Sequence, residues 1–145
     1  MNYIVRRAEM KDCSALYRLS LEGLGYDYPE EQLRVRVEKV LSSEKDAVFV
    51  AESGGEVVGF IHAADYDVIY ADSFKNIMGI AVFEEYRRCG IGSALLRAAE
   101  EWAAATGAEG IRLNSGETRI GAHSFYRSQG YESHKKQLNF IKYFN

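Results

Sequence analysis

The sequence predicts one domain, over residues 1–145, of the α/β or α+β class with a mixed sheet. Segments rich in β-favouring residues alternate with segments in which apolar residues recur at helical spacing. Their order is strand, two helices, three strands, helix, strand, helix, strand. Apolar residues make up 47% of the 145 residues and charged residues 27%, with one proline. This is a globular composition, and the length suits one hydrophobic core.

The first three elements are a strand and two helices. Residues 3–7 are short and β-favouring, and from Lys11 onward leucines recur at helical spacing among polar residues. Residues 23–29 are dense in turn formers and end in the single proline. Over residues 30–42 the apolar positions return to helical spacing, so a second helix is predicted there.

A hairpin and a third strand come next. Residues 47–51 and 57–63 are β-rich, and the polar segment between them contains Gly54 and Gly55, which allow the positive φ angles of a tight turn. We therefore expect an antiparallel pair. A further strand is predicted over residues 76–82, and it ends in a basic loop that contains glycines.

The second half of the chain is predicted to contain two helices, each followed by strand. The first helix has one apolar face, and Gly107 ends it where a C-terminal cap is expected. That face consists of Ile91, Leu95, Ala98, Ala99 and Trp102. Residues 111–114 are predicted as a short buried strand, 119–129 as a second amphipathic helix capped by Gly130, and 131–144 as one or two closing strands.

Charge, cysteines and histidines argue against several classes of function. The net charge of −3 disfavours broad binding to nucleic acid or to an anionic membrane. Cys13 and Cys89 have neither disulfide-framework nor zinc spacing, and metal-ligand spacing is also lacking among His62, His123 and His134. The start of the chain lacks an apolar signal core, and no later run is long enough to cross a bilayer. We expect a cytoplasmic protein without a metal.

The most informative segment is Arg87-Arg88-Cys89-Gly90-Ile91-Gly92-Ser93, which joins a predicted strand directly to a predicted helix. The first amides of a helix lack partners within the helix, and the helix dipole adds partial positive charge there. Glycines let a phosphate approach the backbone closely, and the two arginines add full charges. The segment therefore predicts an anion site; the alternative is a helix that merely begins at two glycines.

Two other phosphate-binding motifs do not fit this segment. A dinucleotide fingerprint would place its third glycine at Leu95, and it normally follows the first strand of its domain. A nucleoside-triphosphate P-loop requires a lysine and then Ser or Thr after its last glycine, whereas Ser93 and Ala94 follow Gly92. Neither a dinucleotide nor a nucleoside triphosphate is predicted as the ligand.

The segment resembles the signature of the GNAT superfamily of N-acetyltransferases, which is Arg or Gln, two residues, Gly, one residue, then Gly or Ala. Further along the chain, Asn114 is followed by Ala122-His123-Ser124-Phe125-Tyr126 and then by Gly130-Tyr131. These resemble the family's asparagine at a strand end and its helix with a tyrosine before a glycine-aromatic strand. The resemblance covers nearly the whole chain and is weakest over residues 24–44 and 65–75, which usually shape the acceptor pocket in this family.

This resemblance implies a fold, an activity and a cofactor. The fold is a single domain with a mixed, mostly antiparallel central sheet flanked by helices. The activity is transfer of an acetyl group from acetyl-CoA to an amine by direct attack in a ternary complex, with a backbone amide near Val82 polarising the thioester carbonyl. A coenzyme A-binding sensor or partner module of the same fold, without turnover, is the alternative.

The resemblance also implies the residues that bind coenzyme A. The loop would hold the pyrophosphate through backbone amides, and the preceding strand would hold the pantetheine arm. The complete set is Ile80, Ala81, Val82, Arg87, Arg88, Cys89, Gly90, Ile91, Gly92, Ser93, Asn114 and Tyr126.

Catalytic roles are implied for Tyr126 and Asn114. Tyr126 would protonate the departing thiolate, and Asn114 would hold the pantetheine amides or a water; core packing and a local backbone bond are the alternatives. His123, one turn before Tyr126, could relay a proton or be a solvated surface residue. Where histone-type members carry a glutamate, this chain has Asn76, which cannot accept a proton at neutral pH. The general base is unassigned, and the candidates besides ordered water are Asp65, Asp67, Asp72 and Glu84.

The acceptor is predicted to be a cationic amine, on a small molecule or a peptide. Tyrosines and aspartates lie together in the two segments that would shape its pocket, and aromatic rings with carboxylates suit ammonium groups. These residues are Tyr26, Asp27, Tyr28, Asp65, Tyr66, Asp67, Tyr70 and Asp72. A homodimer is compatible with the sequence.

Overall fold

The computed structural model describes residues 2–144, which separate into two compact units, one ending at Leu113 and the other beginning at Asn114. The first unit contains β1 (Ile4–Arg7), α1 (Cys13–Leu24), α2 (Glu30–Leu41), β2 (Asp46–Ser53), β3 (Glu56–Tyr66), β4 (Phe74–Val82), α3 (Ile91–Ala105) and β5 (Gly110–Arg112). The second unit contains α4 (Ile120–Ser128). A single domain over residues 1–145 stays a prediction.

All five strands form one sheet in the order β1-β2-β3-β4-β5. Neighbouring strands are antiparallel except β4 and β5, which are parallel. The turn between β2 and β3 has positive φ at Gly54 and Gly55, 60° and 83°, as the predicted hairpin requires. The prediction of a mixed, mostly antiparallel sheet is confirmed.

Helices cover both faces of this sheet. Consecutive residues of a strand point to opposite faces, yet residues 58–61 of β3 are all buried. α1 packs against β3 and β4, α2 packs against β2, and α3 packs against β2, β3 and β4. The largest fully buried side chains between these layers are Leu19, Ile61, Ile91, Leu95, Leu96, Val50, Val58 and Cys13.

The predicted helices and strands occur within a few residues of their expected bounds, except at the end of the chain. The closing strands predicted over residues 131–144 are wrong, because no strand follows Arg112 within residues 2–144. β-propensity largely reflects packing against neighbouring strands. The large apolar side chains here lack such packing, with Phe140 86% and Phe144 91% exposed. The strand predicted over 111–114 also ends early, at Arg112, and is half-buried rather than buried.

An ion cluster ties β1 to the turn before α1 and to β2. Both terminal nitrogens of Arg6 donate to Asp12 at 2.9 Å, and Nη2 also donates to Glu52 at 2.9 Å. The N–H of Glu9 donates to Asp12 at 2.8 Å. Burial by itself raises the pKa of Asp12, but the hydrogen bonds from Arg6 and Glu9 outweigh it, so the pKa lies below its usual value.

Asp12→Asn is expected to lower the free energy of unfolding at neutral pH by about 1.5–3 kcal/mol, the contribution of a hydrogen bond between charged groups. The folded pKa lies below the unfolded value of about 3.9, so the ionised carboxylate stabilises the fold above about pH 4. That contribution is lost as the pH falls through the folded pKa. Urea unfolding of both proteins as a function of pH measures the difference, which should shrink only in acid.

The matched control is Glu38→Gln, which alters an exposed carboxylate on α2. It should change the free energy of unfolding little at any pH. A difference between wild type and Asp12→Asn that persisted undiminished down to about pH 2 would contradict the lowered pKa.

Candidate active site

β4 has a partner strand along its whole length on one side only. It pairs with β3 from Phe74 to Val82, but with β5 only from the pair Phe74–Gly110 to the pair Asn76–Arg112. Within the first unit, residues 77–82 therefore present an unpaired backbone edge. An extended ligand that contains amides can pair with such an edge.

The last residues of β4 direct alternate backbone groups to this edge. The N–H of Phe83 donates to the carbonyl of Val58 at 3.0 Å, on the β3 side. The C=O and N–H of one planar peptide point in opposite directions, so the carbonyl of Val82 points to the open edge. Because backbone groups alternate along a strand, the N–H groups of Val82 and Ile80 also point to the open edge, while the N–H of Ala81 points to β3.

A β-bulge at Met78 lies just past the last pair between β4 and β5. His62 pairs with Gly79 and Ala63 with Ile77, which leaves Met78 without a partner on β3. A bulge bends its strand and increases the local twist. The bend therefore coincides with the beginning of the open edge.

The loop after β4 contains two residues with left-handed backbone, Arg88 with φ 63° and Gly90 with φ 84°. Gly90 is the N-cap of α3, and it makes no side-chain cap hydrogen bond there. The first amides of a helix have no partner within the helix, and here they belong to residues 91–93. Backbone donors beside exposed arginines can hold a pyrophosphate.

The side chain of Arg87 makes a hydrogen bond to the last residue of β4. Its Nε donates to the carbonyl of Val82 at 3.0 Å, while the side chain remains exposed. Of the Val82 backbone groups at the open edge, the carbonyl is thus already bonded and the N–H faces the edge. The Sγ of Cys89 lies 3.5 Å from the carbonyl of Arg87.

A cavity of about 610 Å³ lies beside the ion cluster of Arg6 rather than at this loop. Its lining includes Lys11, Arg18, Phe83 and Glu85, and none of residues 87–93. The guanidinium of Arg18 lies 4.7 Å from the centre of the Phe83 ring. This cavity is therefore separate from the candidate site, which consists of the strand edge and the loop.

In the second unit, Tyr126 lies on α4 between two aromatic neighbours. Its ring centre is 5.5 Å from that of Phe125 and 6.0 Å from that of Tyr131. Burial raises the pKa of the Tyr126 hydroxyl, and the charge of Arg119 opposes this only in part. The hydroxyl is therefore protonated at neutral pH and can donate a hydrogen bond.

Two other predicted residues belong to the second unit. Asn114 begins it and is exposed. The Nε2 of His123 lies 2.8 Å from the carbonyl of Gly116, which ties α4 to the segment before it. The roles of Asn114, His123 and Tyr126 stay predictions.

Asn76, which the resemblance matches to a glutamate of histone-type members, takes part in a hydrogen bond. The Oδ1 of Asn76 accepts a hydrogen bond from Arg112 at 2.6 Å. Asp65 forms an ion pair with Lys75, whose buried ammonium group also lies 4.6 Å from the centre of the Trp102 ring. Asp65 is thus committed to a structural pair, whereas exposed positions are held by Asp67, Asp72 and Glu84.

The loop between α1 and α2 carries one anchored carboxylate. The hydroxyl of Tyr17 donates to Oδ1 of Asp27 at 3.1 Å, and this bond raises the pKa of Tyr17. Tyr26 and Tyr28, on either side of Asp27, are 67% and 43% exposed. The loop therefore carries a carboxylate that accepts a hydrogen bond from Tyr17, with an accessible tyrosine on either side of it in the sequence.

Sequence reasoning missed Tyr3 and Tyr17. The hydroxyl of Tyr3 donates to the carbonyl of Gly90 in the loop, at 3.2 Å and across 87 positions of the chain. No motif contains either tyrosine, and neither spacing nor composition could reveal contacts that only the sheet and helix packing create.

Among residues 2–144, no group of three or more histidines, cysteines or carboxylates is arranged to hold a metal ion. Within the same residues, none of the helices combines the length and the apolar character needed to cross a membrane.

Comparison with known proteins shows the family to which this chain belongs. Residues 13–131 match the acetyltransferase (GNAT) family. A protein of Archaeoglobus fulgidus described as an uncharacterized N-acetyltransferase is 33% identical over 133 residues, covering 86% of this chain and 90% of that protein. The aminoalkylphosphonate N-acetyltransferase of Salmonella typhimurium is 32% identical over 129 residues, covering 88% and 84%.

A solved structure shares the fold. The aminoglycoside N-acetyltransferase AAC(6')-Iy, in complex with a bisubstrate analog that contains coenzyme A, has a TM-score of 0.89 over 99% of this chain and 100% of its own, at 18% identity. Fold and relatives together define an acetyltransferase enzyme. The chain belongs to the GNAT family, which confirms the resemblance seen in the sequence.

Arg88→Gly is expected to weaken coenzyme A binding without destabilising the fold. Glycine adopts the left-handed conformation of residue 88 without strain, whereas loss of the guanidinium removes a charge that we expect to contact phosphate. A hydrogen bond to a charged group contributes about 1.5–3 kcal/mol, so the dissociation constant should rise about tenfold or more. Calorimetric titration measures the affinity, and a melting curve without ligand measures the fold.

Arg36→Ala on α2 is the control, because it removes the same charge from an exposed position outside the loop. Its affinity for coenzyme A should equal that of wild type. If Arg88→Gly melted much earlier than wild type and bound coenzyme A equally well, residue 88 would be structural only.

Proposed function

We propose that this enzyme transfers an acetyl group from acetyl-CoA to a primary amine by direct attack within a ternary complex. The supporting observation is the continuity of the open edge of β4 with the loop after it. Backbone donors at Ile80 and Val82 lead along the edge to the unpaired amides of residues 91–93. Acetyl-CoA carries a thioester, two pantetheine amides and a pyrophosphate in this same order.

In this proposal, different residues of the chain bind the pyrophosphate, the pantetheine arm and the thioester. Amides of residues 91–93 and the charge of Arg88 would bind the pyrophosphate, and the N–H of Val82 would pair with a pantetheine amide. The N–H of Ile80, farther from the loop, would donate to the thioester carbonyl as negative charge develops on it. Holding the thioester on a rigid strand would supply much of the acceleration through positioning.

Water is the proposed route for the proton that leaves the amine. Asn76 is bonded to Arg112 and cannot act as a base, and Asp65 is paired with Lys75. An ammonium group must lose a proton before it can attack, so activity should rise with pH toward the pKa of the acceptor amine.

A cationic acceptor is proposed on the basis of Asp27. Its carboxylate accepts a hydrogen bond from Tyr17, and its neighbours in the sequence, Tyr26 and Tyr28, are exposed. Carboxylates and aromatic rings both suit an ammonium group. The relative named aminoalkylphosphonate N-acetyltransferase supports an amine acceptor, but a phosphonate is anionic, so the cationic class rests on Asp27 alone. Of the carboxylates singled out in the sequence, Asp65 is the weaker candidate because Lys75 already neutralises it.

The proposed function is tested by following thiol release from acetyl-CoA with a panel of amines. The panel contains an aminoglycoside, an aminoalkylphosphonate, a polyamine, lysine and a peptide with a free N-terminus. Sustained turnover with a cationic member supports the proposal. Tight binding of coenzyme A without turnover on any member supports the sensor instead, and turnover restricted to neutral or acidic acceptors contradicts the cationic class.

Tyr126→Phe is expected to lower kcat about ten- to a hundredfold, because it removes a hydrogen bond to the departing thiolate of about 1.5–3 kcal/mol. The pKa of Tyr126 is raised above its ordinary value, so the tyrosine donates a hydrogen bond and the proton equilibrates afterwards from solvent. Single-turnover rates at saturating acetyl-CoA measure the effect. The affinity for acetyl-CoA should change little because the ring still packs.

Phe125→Leu is the control, since it alters the neighbouring ring without removing a hydroxyl. Its kcat should stay closer to wild type than that of Tyr126→Phe. If kcat of Tyr126→Phe stayed within about twofold of wild type while chemistry limits turnover, Tyr126 would be a packing residue.

Asp27→Asn is expected to raise KM for a cationic acceptor about tenfold and to leave KM for acetyl-CoA unchanged. The substitution keeps the size of the side chain and its acceptor oxygen for Tyr17, so the lost charge is the main change. Steady-state kinetics with each substrate varied in turn provide the measurement. Glu101→Gln on α3 removes an equal charge at an exposed position and should alter neither constant.

A further inference from the structure

One side chain outside the candidate site holds the loop from the other end of the chain. Tyr3 lies directly before β1 and is half-buried, and its hydroxyl donates to the carbonyl of Gly90 at 3.2 Å. The same carbonyl accepts the N–H of Ala94 at 3.0 Å, as the first bond of α3. The Tyr3 hydroxyl and the Ala94 N–H therefore fix the direction of the Gly90 carbonyl, where the loop meets α3.

The direction of that carbonyl determines the direction of an amide. Gly90 and Ile91 share one planar peptide, in which the C=O and the N–H point in opposite directions. Anchoring the carbonyl of Gly90 toward Tyr3 and Ala94 aims the N–H of Ile91 away from the helix, at the side where an anion would lie. A donor on the carbonyl also polarises the peptide, which makes this N–H a stronger donor.

A glycine at this position makes an external anchor useful. Gly90 has φ 84°, a conformation that glycine reaches readily but does not hold by itself. The residue makes no side-chain cap bond that could fix it. The hydroxyl of Tyr3 supplies the constraint from outside the loop.

We propose that Tyr3 is a positioning residue for the coenzyme A loop, fixing the peptide between Gly90 and Ile91 so that the N–H of Ile91 is aimed at the pyrophosphate. The inference rests on the proposed function, since it requires coenzyme A to bind at residues 87–93. The alternative is a structural role, in which the hydrogen bond of Tyr3 only attaches the start of the chain to the rest of the fold.

A neighbouring hydrogen bond separates these two roles. The hydroxyl of Ser53 donates to the carbonyl of Asn2 at 3.0 Å and so holds the same start of the chain to β2. Ser53 lies in β2 and not in the loop, and it does not bond Gly90. Ser53→Ala therefore loosens the start of the chain without removing the anchor on Gly90.

The test compares Tyr3→Phe and Ser53→Ala with wild type, and phenylalanine keeps the ring while removing the hydroxyl. For Tyr3→Phe we expect the dissociation constant of coenzyme A and the KM for acetyl-CoA to rise about two- to tenfold. This factor corresponds to the loss of about one hydrogen bond. The kcat at saturating acetyl-CoA and KM for the acceptor should not change. Hydrogen exchange without ligand should be faster at the amide of Ala94, which donates to the carbonyl of Gly90.

Ser53→Ala should leave coenzyme A affinity and exchange at the amide of Ala94 at wild-type values. If both variants weakened binding equally, Tyr3 would act only by holding the start of the chain, and the inference would be overturned. Wild-type affinity and exchange in Tyr3→Phe would overturn it while leaving the proposed function intact. Failure of the wild type to bind coenzyme A would overturn both.

Discussion

β4 pairs with β3 along its whole length, yet β5 stays beside it only as far as Asn76. If β4 were paired with β5 along its whole length, its backbone donors at this edge would be bonded to that strand and could not bind an extended ligand. Because pairing stops where the bulge at Met78 begins, donors at Ile80 and Val82 face the open side. The loop and the start of α3 continue that line of donors, so the candidate site depends on where one strand pair ends.

Sequence patterns predicted the elements whose signal is local. The apolar face from Ile91 to Trp102 identified α3, and Gly54 with Gly55 identified the hairpin. The length of the β4–β5 pairing was not predictable, because Met78 looks like any apolar strand residue and a bulge depends on the partner strand. The strand prediction over residues 131–144 was wrong because strand formation also depends on a partner. The composition of this segment favours strand, but no neighbouring strand pairs with it.

The site divides in a similar way. The residues of the loop follow from their own spacing, because glycines and arginines beside a helix start have a chemistry that needs no distant partner. Contacts that assign or remove a role join distant positions: Tyr3 reaches Gly90, Tyr17 holds Asp27, and Lys75 neutralises Asp65. Sequence alone gave all tyrosines and aspartates of the acceptor segments equal weight. The structure separates Asp65, which is paired with a lysine, from Asp27, which is held by a neutral hydroxyl.

The backbone of the loop explains why it needs such contacts. A non-glycine residue in the left-handed region, here Arg88, carries roughly 1–3 kcal/mol of strain, and persists only where the surroundings hold it. A 3-10 turn over Glu84–Tyr86 shapes the first part of the segment after β4, and side chains hold the two ends of the loop that follows it. Arg87 ties one end to Val82 on β4, and Tyr3, beside β1, ties the other end to Gly90. Because β1 and β4 belong to one sheet, both anchors hold the helix amides in a fixed relation to the open strand edge. One extended molecule could then be held along its length without rearrangement of either part.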